Sequence, residues 1–205
     1  MILGISGKAV SCNDTVCEMI IGILSHKNKC NEDLEYTKYV LESDPIYKQE
    51  RFAKFYQVAF ADRLKDCVNS LSGINIDLST IEGKNSLVHW LKIDGRHPSY
   101  RELLQWFGTS IREKICDDFW VQALFGNEDG SNIIITDVRF ENEVTAIKDR
   151  EGIVIRINRE GSGAGNHISE TALDNYKFDY ILENDGTLED LFYKVKHLLI
   201  ELGLL

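Results

Sequence analysis

Residues 1–15 read MILGISGKAVSCNDT, and the order of residue types in this stretch decides the fold of the chain. An apolar strand, Ile2 to Ile5, runs directly into a loop of small residues, Ser6 to Asn13. Apolar residues then recur at the spacing of a buried helix face: Val16, Met19, Ile20, Ile23 and Leu24. The stretch therefore predicts a strand, a loop and a helix in immediate succession.

Further short apolar runs are predicted to be strands: Tyr56 to Ala61, Asn132 to Thr136, Ile153 to Ile157 and Tyr180 to Leu182. Helical patterns lie between and after them: Asp62 to Leu71, Ser99 to Phe125 with Ser99 as N-cap, Glu141 to Arg150, and Leu188 to Leu202. Strands that are continuous apolar runs indicate a parallel sheet that is covered on both faces. We therefore predict an α/β fold of three layers, with a mostly parallel sheet of about five strands flanked by helices.

Composition and charge restrict the function of the chain. Its 205 residues are 43% hydrophobic and 27% charged, which is typical of a globular protein and excludes general disorder. No apolar run approaches the about 20 residues of a membrane span, and the apolar start lacks the basic residues of a signal peptide. The net charge of −10 argues against a nucleic-acid polymer as partner. The five cysteines contain no CxxC pair, so we expect free thiols in a reducing cytoplasm.

The loop after the first strand matches a phosphate-binding loop in part. That pattern, G-x-x-x-x-G-K-[ST], binds an anion through backbone N–H groups and a helix N-terminus, while its lysine bridges the outer phosphates. Gly7 begins the pattern, but Cys12 stands at the second glycine and Asn13 at the lysine. From these residues alone, a phosphate loop and an ordinary turn between strand and helix both remain open.

Charged side chains also follow the later strands. The run Asn132 to Thr136 leads into Asp137 and Arg139, and the next strand carries Arg156 and ends near Arg159. The planar guanidinium suits phosphate, although each arginine alone could be an ordinary surface residue. In a parallel sheet the ligand lies beyond the carboxyl ends of the strands. This edge is therefore predicted to bind a phosphorylated small molecule.

Several segments together resemble the virus-encoded deoxynucleoside monophosphate kinases. They are GISGKAVSCNDT, YQVAFADRLKD, RELLQWFGTSIRE with DFWV, ITDVRFENE, VIRINRE with HISE, and LENDGTLEDLF. The resemblance implies a P-loop kinase fold and transfer of the γ-phosphate of ATP, with Mg²⁺, to a deoxynucleoside monophosphate (dNMP). It also implies a host-cell cytoplasmic protein and makes a homodimer plausible.

The resemblance implies a role for each matching residue. For ATP and its phosphates these are Gly7, Lys8, Ser11, Cys12, Asn13, Asp14 and Thr15. For the dNMP they are Lys65, Arg101, Gly108, Thr109, Trp120 as a wall for the base, Arg139, Glu143, His167 and Glu170. Asp137, Arg139 and Arg159 would be catalytic, and Asp14 and Asp137 would face the metal.

The resemblance further predicts one kinase-like domain over residues 1–205. It would contain a polar insertion at about 27–50, an acceptor-binding helical region at about 62–125 and a lid at about 159–170.

The chain departs from the family at Cys12 and Asn13, where the family carries glycine and lysine. Loss of that lysine predicts a reduced kinase activity, since phosphoryl transfer depends on positive charge at the phosphates. Two other functions stay open at this point: a catalytically inactive nucleotide-binding homologue, and a kinase of the same fold for another small metabolite.

Overall fold

The computed structural model describes residues 1–25, 55–73, 76–126, 130–162 and 167–205. The polar insertion at 27–50 and part of the expected lid lie outside these residues. The described residues belong to two compact units. Unit 1 comprises Met1–Val58 and Asp129–Leu205, and unit 2 comprises Ala59–Glu128.

Unit 1 is built on a parallel sheet of five strands. The strands are β1 (Ile2–Gly7), β2 (Tyr56–Val58), β3 (Ile133–Val138), β4 (Ile153–Asn158) and β5 (Tyr180–Glu183). Their order across the sheet is β2-β3-β1-β4-β5, and every neighbouring pair is parallel. This is the parallel α/β arrangement that the apolar runs predict, and it is like that of the P-loop kinases, as the resemblance implies.

Helices cover both faces of this sheet. They are α1 (Asn13–Ser25), α6 (Glu141–Lys148), α7 (Ile168–Thr171) and α8 (Leu188–Glu201). On one face, α1 and α8 pack with Leu3 and Ile5 in a continuous apolar core. The other face is covered by α6, whose Ile147 would lie 2.7 Å from a Cβ added at Gly4. Close packing of α6 on β1 therefore requires a glycine at this position.

Unit 2 consists of helices with a separate core. They are α2 (Asp62–Ser72), α3 (Ile81–Asn85), α4 (Tyr100–Lys114) and α5 (Phe119–Phe125). Buried side chains from these helices and from the segments between them form one cluster: Leu64, Val68, Leu78, Val88, Tyr100 and Trp120. No helix in the described parts of the chain is long and apolar enough to cross a membrane.

Two sequence-based boundaries differ from the structure. The strand predicted to reach Ala61 ends at Val58, and the apolar pattern continues only because Ala59 and Phe60 are buried beyond it. The helix predicted over 99–125 is divided into α4 and α5. The interruption falls at 115–118, and Asp117 within it pairs with Arg112 of α4 at 2.9 Å.

Candidate phosphate-binding site

The loop between β1 and α1 folds tightly against its own first residue. A Cβ at Gly7 would clash with the side-chain oxygens of Ser11 and Asn13, so only glycine fits there. The Ser11 N–H donates to the carbonyl of Lys8 at 3.1 Å, which closes the turn. The first glycine of the phosphate-loop pattern therefore has the structural role that the pattern assigns to it.

The loop backbone also enters the left-handed region, at Val10 (φ 69°) and Cys12 (φ 75°). Glycine adopts this conformation without cost, whereas a side chain is strained in it. Backbones that enter this region can direct successive N–H groups toward one anion. Cys12 therefore has the backbone conformation of the glycine that it replaces.

The side chain of Asn13 is engaged within the protein. Its Oδ1 accepts a hydrogen bond from Ser11 Oγ at 2.8 Å, and its Nδ2 donates to the carbonyl of Thr136 at 2.9 Å. The carbonyl of Ser11 accepts in turn from Asn184 Nδ2 at 3.3 Å. Position 13 thus links the helix start to β3, and it brings no charge to the loop.

Glu170, on α7, connects the loop with the end of β3. Its Oε2 accepts from the N–H of Ala9 at 2.7 Å, and its Oε1 accepts from Arg139 Nη1 at 3.1 Å. Arg139 follows directly after β3, whose last residue Val138 is in register with Ser6. The sequence-based expectation that Arg139 lies at the ligand edge of the sheet is consistent with this geometry.

Asp174 pairs with two further cations of the same edge. Its carboxylate lies 3.0 Å from Lys8 Nζ and 3.5 Å from Arg156 Nη2. Arg156 also donates to Ser6 Oγ at 3.0 Å. Burial lowers the pKa of Arg156, and the neighbouring carboxylate of Asp174 opposes that effect. Two carboxylates of the segment 167–174 thus pair with three cations around the loop.

Arg159 contacts the loop itself. It follows the last residue of β4, and its Nη1 donates to Cys12 Sγ at 2.8 Å. A second thiol, Cys17, lies nearby in sequence on α1, but it is fully buried and burial raises its pKa. Cys12 is therefore the thiol of this segment that is open to the site.

The two expected metal-facing carboxylates lie at the same edge of the sheet. Asp137 is half-buried near the end of β3, and Asp14 is exposed in the first turn of α1. Asp14 Oδ1 accepts from Gln57 Nε2 at 2.9 Å. Across the described residues, no three His, Cys, Asp or Glu side chains gather as a metal cluster. Mg²⁺ needs only one or two carboxylates when phosphates and water complete its shell.

Glu143 and His167 have local roles at helix starts. Glu143 is 4% exposed and accepts from the N–H groups of Arg139 (2.7 Å) and Phe140 (3.0 Å). His167 Nδ1 is 2.8 Å from Ser169 Oγ, at the beginning of α7. Their contact with a dNMP stays a prediction.

Trp120 and Gly108 are packed together inside unit 2. Trp120 is 6% exposed, and its indole N–H donates to the carbonyl of Gly108 at 3.2 Å. A Cβ at Gly108 would lie 3.0 Å from Leu64 Cδ2. These contacts account for both residues through packing, and stacking of Trp120 on a base stays a prediction.

The other acceptor candidates of unit 2 lie on its helices. Lys65 pairs with Asp62 one turn earlier, at 3.0 Å, and Arg101 Nε donates to Asn85 Oδ1 at 3.1 Å. Thr109 is half-buried on α4. All three keep accessible polar surface, and their role as nucleotide contacts stays a prediction.

Sequence reasoning missed two residues of the loop surroundings, Asp174 and Asn184. Asn184 follows β5 directly, so the strand-end rule that found Arg139 could have found it. Asp174 lies beyond a short helix in a stretch without any motif. Only the three-dimensional structure shows that it faces Lys8.

Comparison with known proteins identifies relatives among viral enzymes. A deoxynucleotide monophosphate kinase of Escherichia phage RB69 is 27% identical over 146 residues, which cover 63% of this chain and 59% of the relative. The deoxynucleotide monophosphate kinase of Enterobacteria phage T4 is 31% identical over 109 residues, covering 49% of this chain and 45% of the relative. The matched part of the chain thus spans about half the length of these curated relatives.

The family model described as deoxynucleotide monophosphate kinase matches residues 46–195. The match contains the strand ends that carry Arg139, Arg156 and Arg159, and it begins after the altered loop. By this match over most of its length, the chain belongs to the deoxynucleotide monophosphate kinase family.

Proposed function

We propose that the protein is a deoxynucleoside monophosphate kinase that transfers the γ-phosphate of ATP to a dNMP and yields a dNDP. The observation that carries the proposal is the cation set around the Gly7 loop: Lys8, Arg139, Arg156 and Arg159. A site of this kind suits a polyphosphate, because phosphoryl transfer is mostly positioning and electrostatic stabilisation. Family membership supports the reaction class.

Each part of the site has a proposed task. The loop backbone would hold the donor phosphates, and the N-terminus of α1 would add its partial positive charge. Arg139 would exchange its ion pair with Glu170 for a phosphate oxygen. Asp137 would hold Mg²⁺, which supplies charge neutralisation between donor phosphates. Lys65 and Arg101 are the proposed phosphate contacts of the acceptor in unit 2.

A coupled assay with ATP–Mg²⁺ and each of the dNMPs tests the proposal. We expect turnover with at least one dNMP, and Arg139→Gln should reduce kcat/KM at least about tenfold, or about 1.4 kcal/mol. Arg150→Gln is the control, since this exposed arginine precedes β4 at the opposite edge of the sheet. Turnover that stays at background with every dNMP would contradict the proposal.

A second candidate function is nucleotide binding without transfer. It is favoured by the neutral Asn13 side chain, which is held by Ser11 and Thr136 in place of a loop lysine. Calorimetry separates the candidates, because this one requires dNMP binding without ATP binding or turnover. The proposal further includes a homodimer and a location in the host cytoplasm, which the assays described above do not measure.

A further inference from the structure

The position that normally carries the loop lysine is electrically neutral in this chain. The phosphate-loop pattern places a lysine there to bridge the outer phosphates of the donor. Asn13 fills the position, and both ends of its amide group bind protein atoms, Ser11 Oγ and the Thr136 carbonyl. If the loop binds a polyphosphate, the missing positive charge has to come from another residue.

Three of the surrounding cations are already paired with carboxylates. Lys8 and Arg156 share Asp174, at 3.0 Å and 3.5 Å, and Arg139 pairs with Glu170 at 3.1 Å. The ammonium group of Lys8, at the start of the loop, is held by this pair with Asp174. These pairs explain the electrostatic balance of the edge, but they leave position 13 without a charge.

Arg159 differs from these three cations. Among the described residues it pairs with no carboxylate, and its Nη1 donates to Cys12 Sγ at 2.8 Å. Cys12 immediately precedes Asn13 and has the left-handed backbone of the pattern glycine, with φ 75°. The guanidinium has five N–H donors, so one contact with sulfur leaves several for a ligand. Its charge is thus held beside the neutral position.

We propose that Arg159, which donates a hydrogen bond to Cys12, supplies the positive charge that the loop lacks at Asn13 and contacts the outer phosphates of the donor nucleotide. A planar guanidinium can bind phosphate through two parallel hydrogen bonds, which a lysine cannot do. The proposal rests on the proposed function for the identity of the donor, but its binding step requires no turnover.

Calorimetry on the full chain with ATP–Mg²⁺, and with inorganic tripolyphosphate, tests the assignment. Arg159→Gln should lower the affinity for both ligands at least about tenfold, which is the scale of a charged phosphate contact. Arg159→Lys should keep most of the affinity, and Arg150→Gln should match the wild type. Equal melting temperatures for all variants would confirm that the loss is one of binding. Unchanged affinity in Arg159→Gln would overturn the proposal.

A rescue experiment distinguishes this role from general attraction of anions. Asn13→Lys should restore ATP affinity in the Arg159→Gln background by a larger factor than it adds to the wild type, because both cations serve one phosphate group. Equal factors in the two backgrounds would overturn the proposal. If Asn13→Lys does not fold, the Gln and Lys variants at position 159 still decide it.

The outcomes also separate the inference from the proposed function. Binding of ATP that depends on Arg159, without turnover on any dNMP, supports the inference and contradicts the kinase function. Turnover that does not depend on Arg159 supports the kinase function and contradicts the inference. A wild-type protein that binds neither ATP nor tripolyphosphate overturns both.

Discussion

Cys12 carries a side chain where the backbone has the conformation of glycine. Its φ of 75° is similar to that of Val10 at 69°, so the loop contains two strained residues within three positions. A left-handed conformation costs a residue with a side chain about 1–2 kcal/mol. Strain of this kind persists where the surrounding structure enforces it. Here the contacts of Ser11 and Asn13 on either side hold the turn.

We therefore predict that Cys12→Gly stabilises the protein. Relief of about 1–2 kcal/mol of strain is partly offset by about 0.4–1 kcal/mol of extra entropy in the unfolded chain, for a net gain of ~1 kcal/mol. Cys12→Ser is the matched control, because it keeps the β-carbon and therefore the strain. Denaturant unfolding followed by circular dichroism measures both variants. A glycine variant no more stable than the serine variant would show that the backbone is not strained.

At the residue scale, sequence reasoning placed the residues that follow strand ends and missed those with distant partners. Arg139 and Arg159 lie at the loop because parallel strands end at one edge of the sheet. The resemblance assigns Glu143 to the dNMP, which stays a prediction, and the structure shows its carboxylate accepting hydrogen bonds at the start of α6. A carboxylate that caps a helix and one that binds a ligand look the same in a sequence.

At the element scale, the long apolar runs were reliable guides and the interrupted patterns were not. The residues of β1, β3 and β4 pack on both faces of the sheet. Because both faces are covered, the sequences of these strands are mostly apolar. β2 is only three residues long, and the apolar run around it continues into a buried turn. Apolar residues continue across the interruption between α4 and α5, so helical periodicity does not reveal it.

The start of α4 illustrates how local chemistry defines an element boundary. Ser99 is its N-cap, as predicted, and Glu102 completes a capping box by accepting from the Ser99 N–H at 2.9 Å. Glu102 also forms a two-point ion pair with Arg96, at 2.6 Å and 3.1 Å. The hydrogen bond from Arg96, followed by that from Ser99, lowers the pKa of Glu102 from 4.5 to about 2.

This ion pair predicts an acid-dependent contribution to stability. Because the folded-state pKa of Glu102 is lowered, its contribution is present above the ordinary value of 4.5 and is lost as pH falls through about 2. We expect Glu102→Gln, which keeps the capping geometry, to lower the unfolding midpoint near neutral pH. The difference from the wild type should shrink below pH 4.5 and vanish near pH 2.

Chemical unfolding at a series of pH values measures this difference. Glu113→Gln serves as the control, since it removes one exposed carboxylate from the last turns of the same helix without a capping role. A difference between Glu102→Gln and the wild type that is the same at every pH would mean that the charge of Glu102 does not contribute.

At the scale of the whole molecule, the net charge of −10 contrasts with the cations at one edge of the sheet. Three of those cations, Lys8, Arg139 and Arg156, pair with Glu170 and Asp174, so part of the positive charge of the ligand-free site is compensated. A polyphosphate can replace these carboxylates with its own oxygens at the same donors. An acidic protein can in this way keep a basic site without a broad basic surface that would attract nucleic acid.

The proposed nucleotide contacts are divided between the two units, and this division yields a test. The candidates for the donor phosphates, residues 7–15 and Arg159, lie in unit 1. The dNMP candidates are divided: Arg139, Glu143, His167 and Glu170 lie in unit 1, whereas Lys65 and Arg101 belong to unit 2. We expect ATP–Mg²⁺ alone to slow amide hydrogen exchange in peptides that cover the loop and the ends of β3 and β4. A dNMP alone should slow exchange in peptides from 62–125, because a bound ligand stabilises the region that it contacts.

Hydrogen exchange followed by mass spectrometry on the full chain distinguishes these effects. The matching deoxynucleoside, which lacks the phosphate, is the control for contacts made by the sugar and base alone. Since Lys65 and Arg101 are assigned to the phosphate, the protection of 62–125 should depend on it and should fall in Arg101→Gln. Protection by the dNMP that is confined to unit 1 would contradict the assignment of these two residues. The acceptor would then be held by the residues after β3 and by α7, where Arg139 and Glu170 already meet.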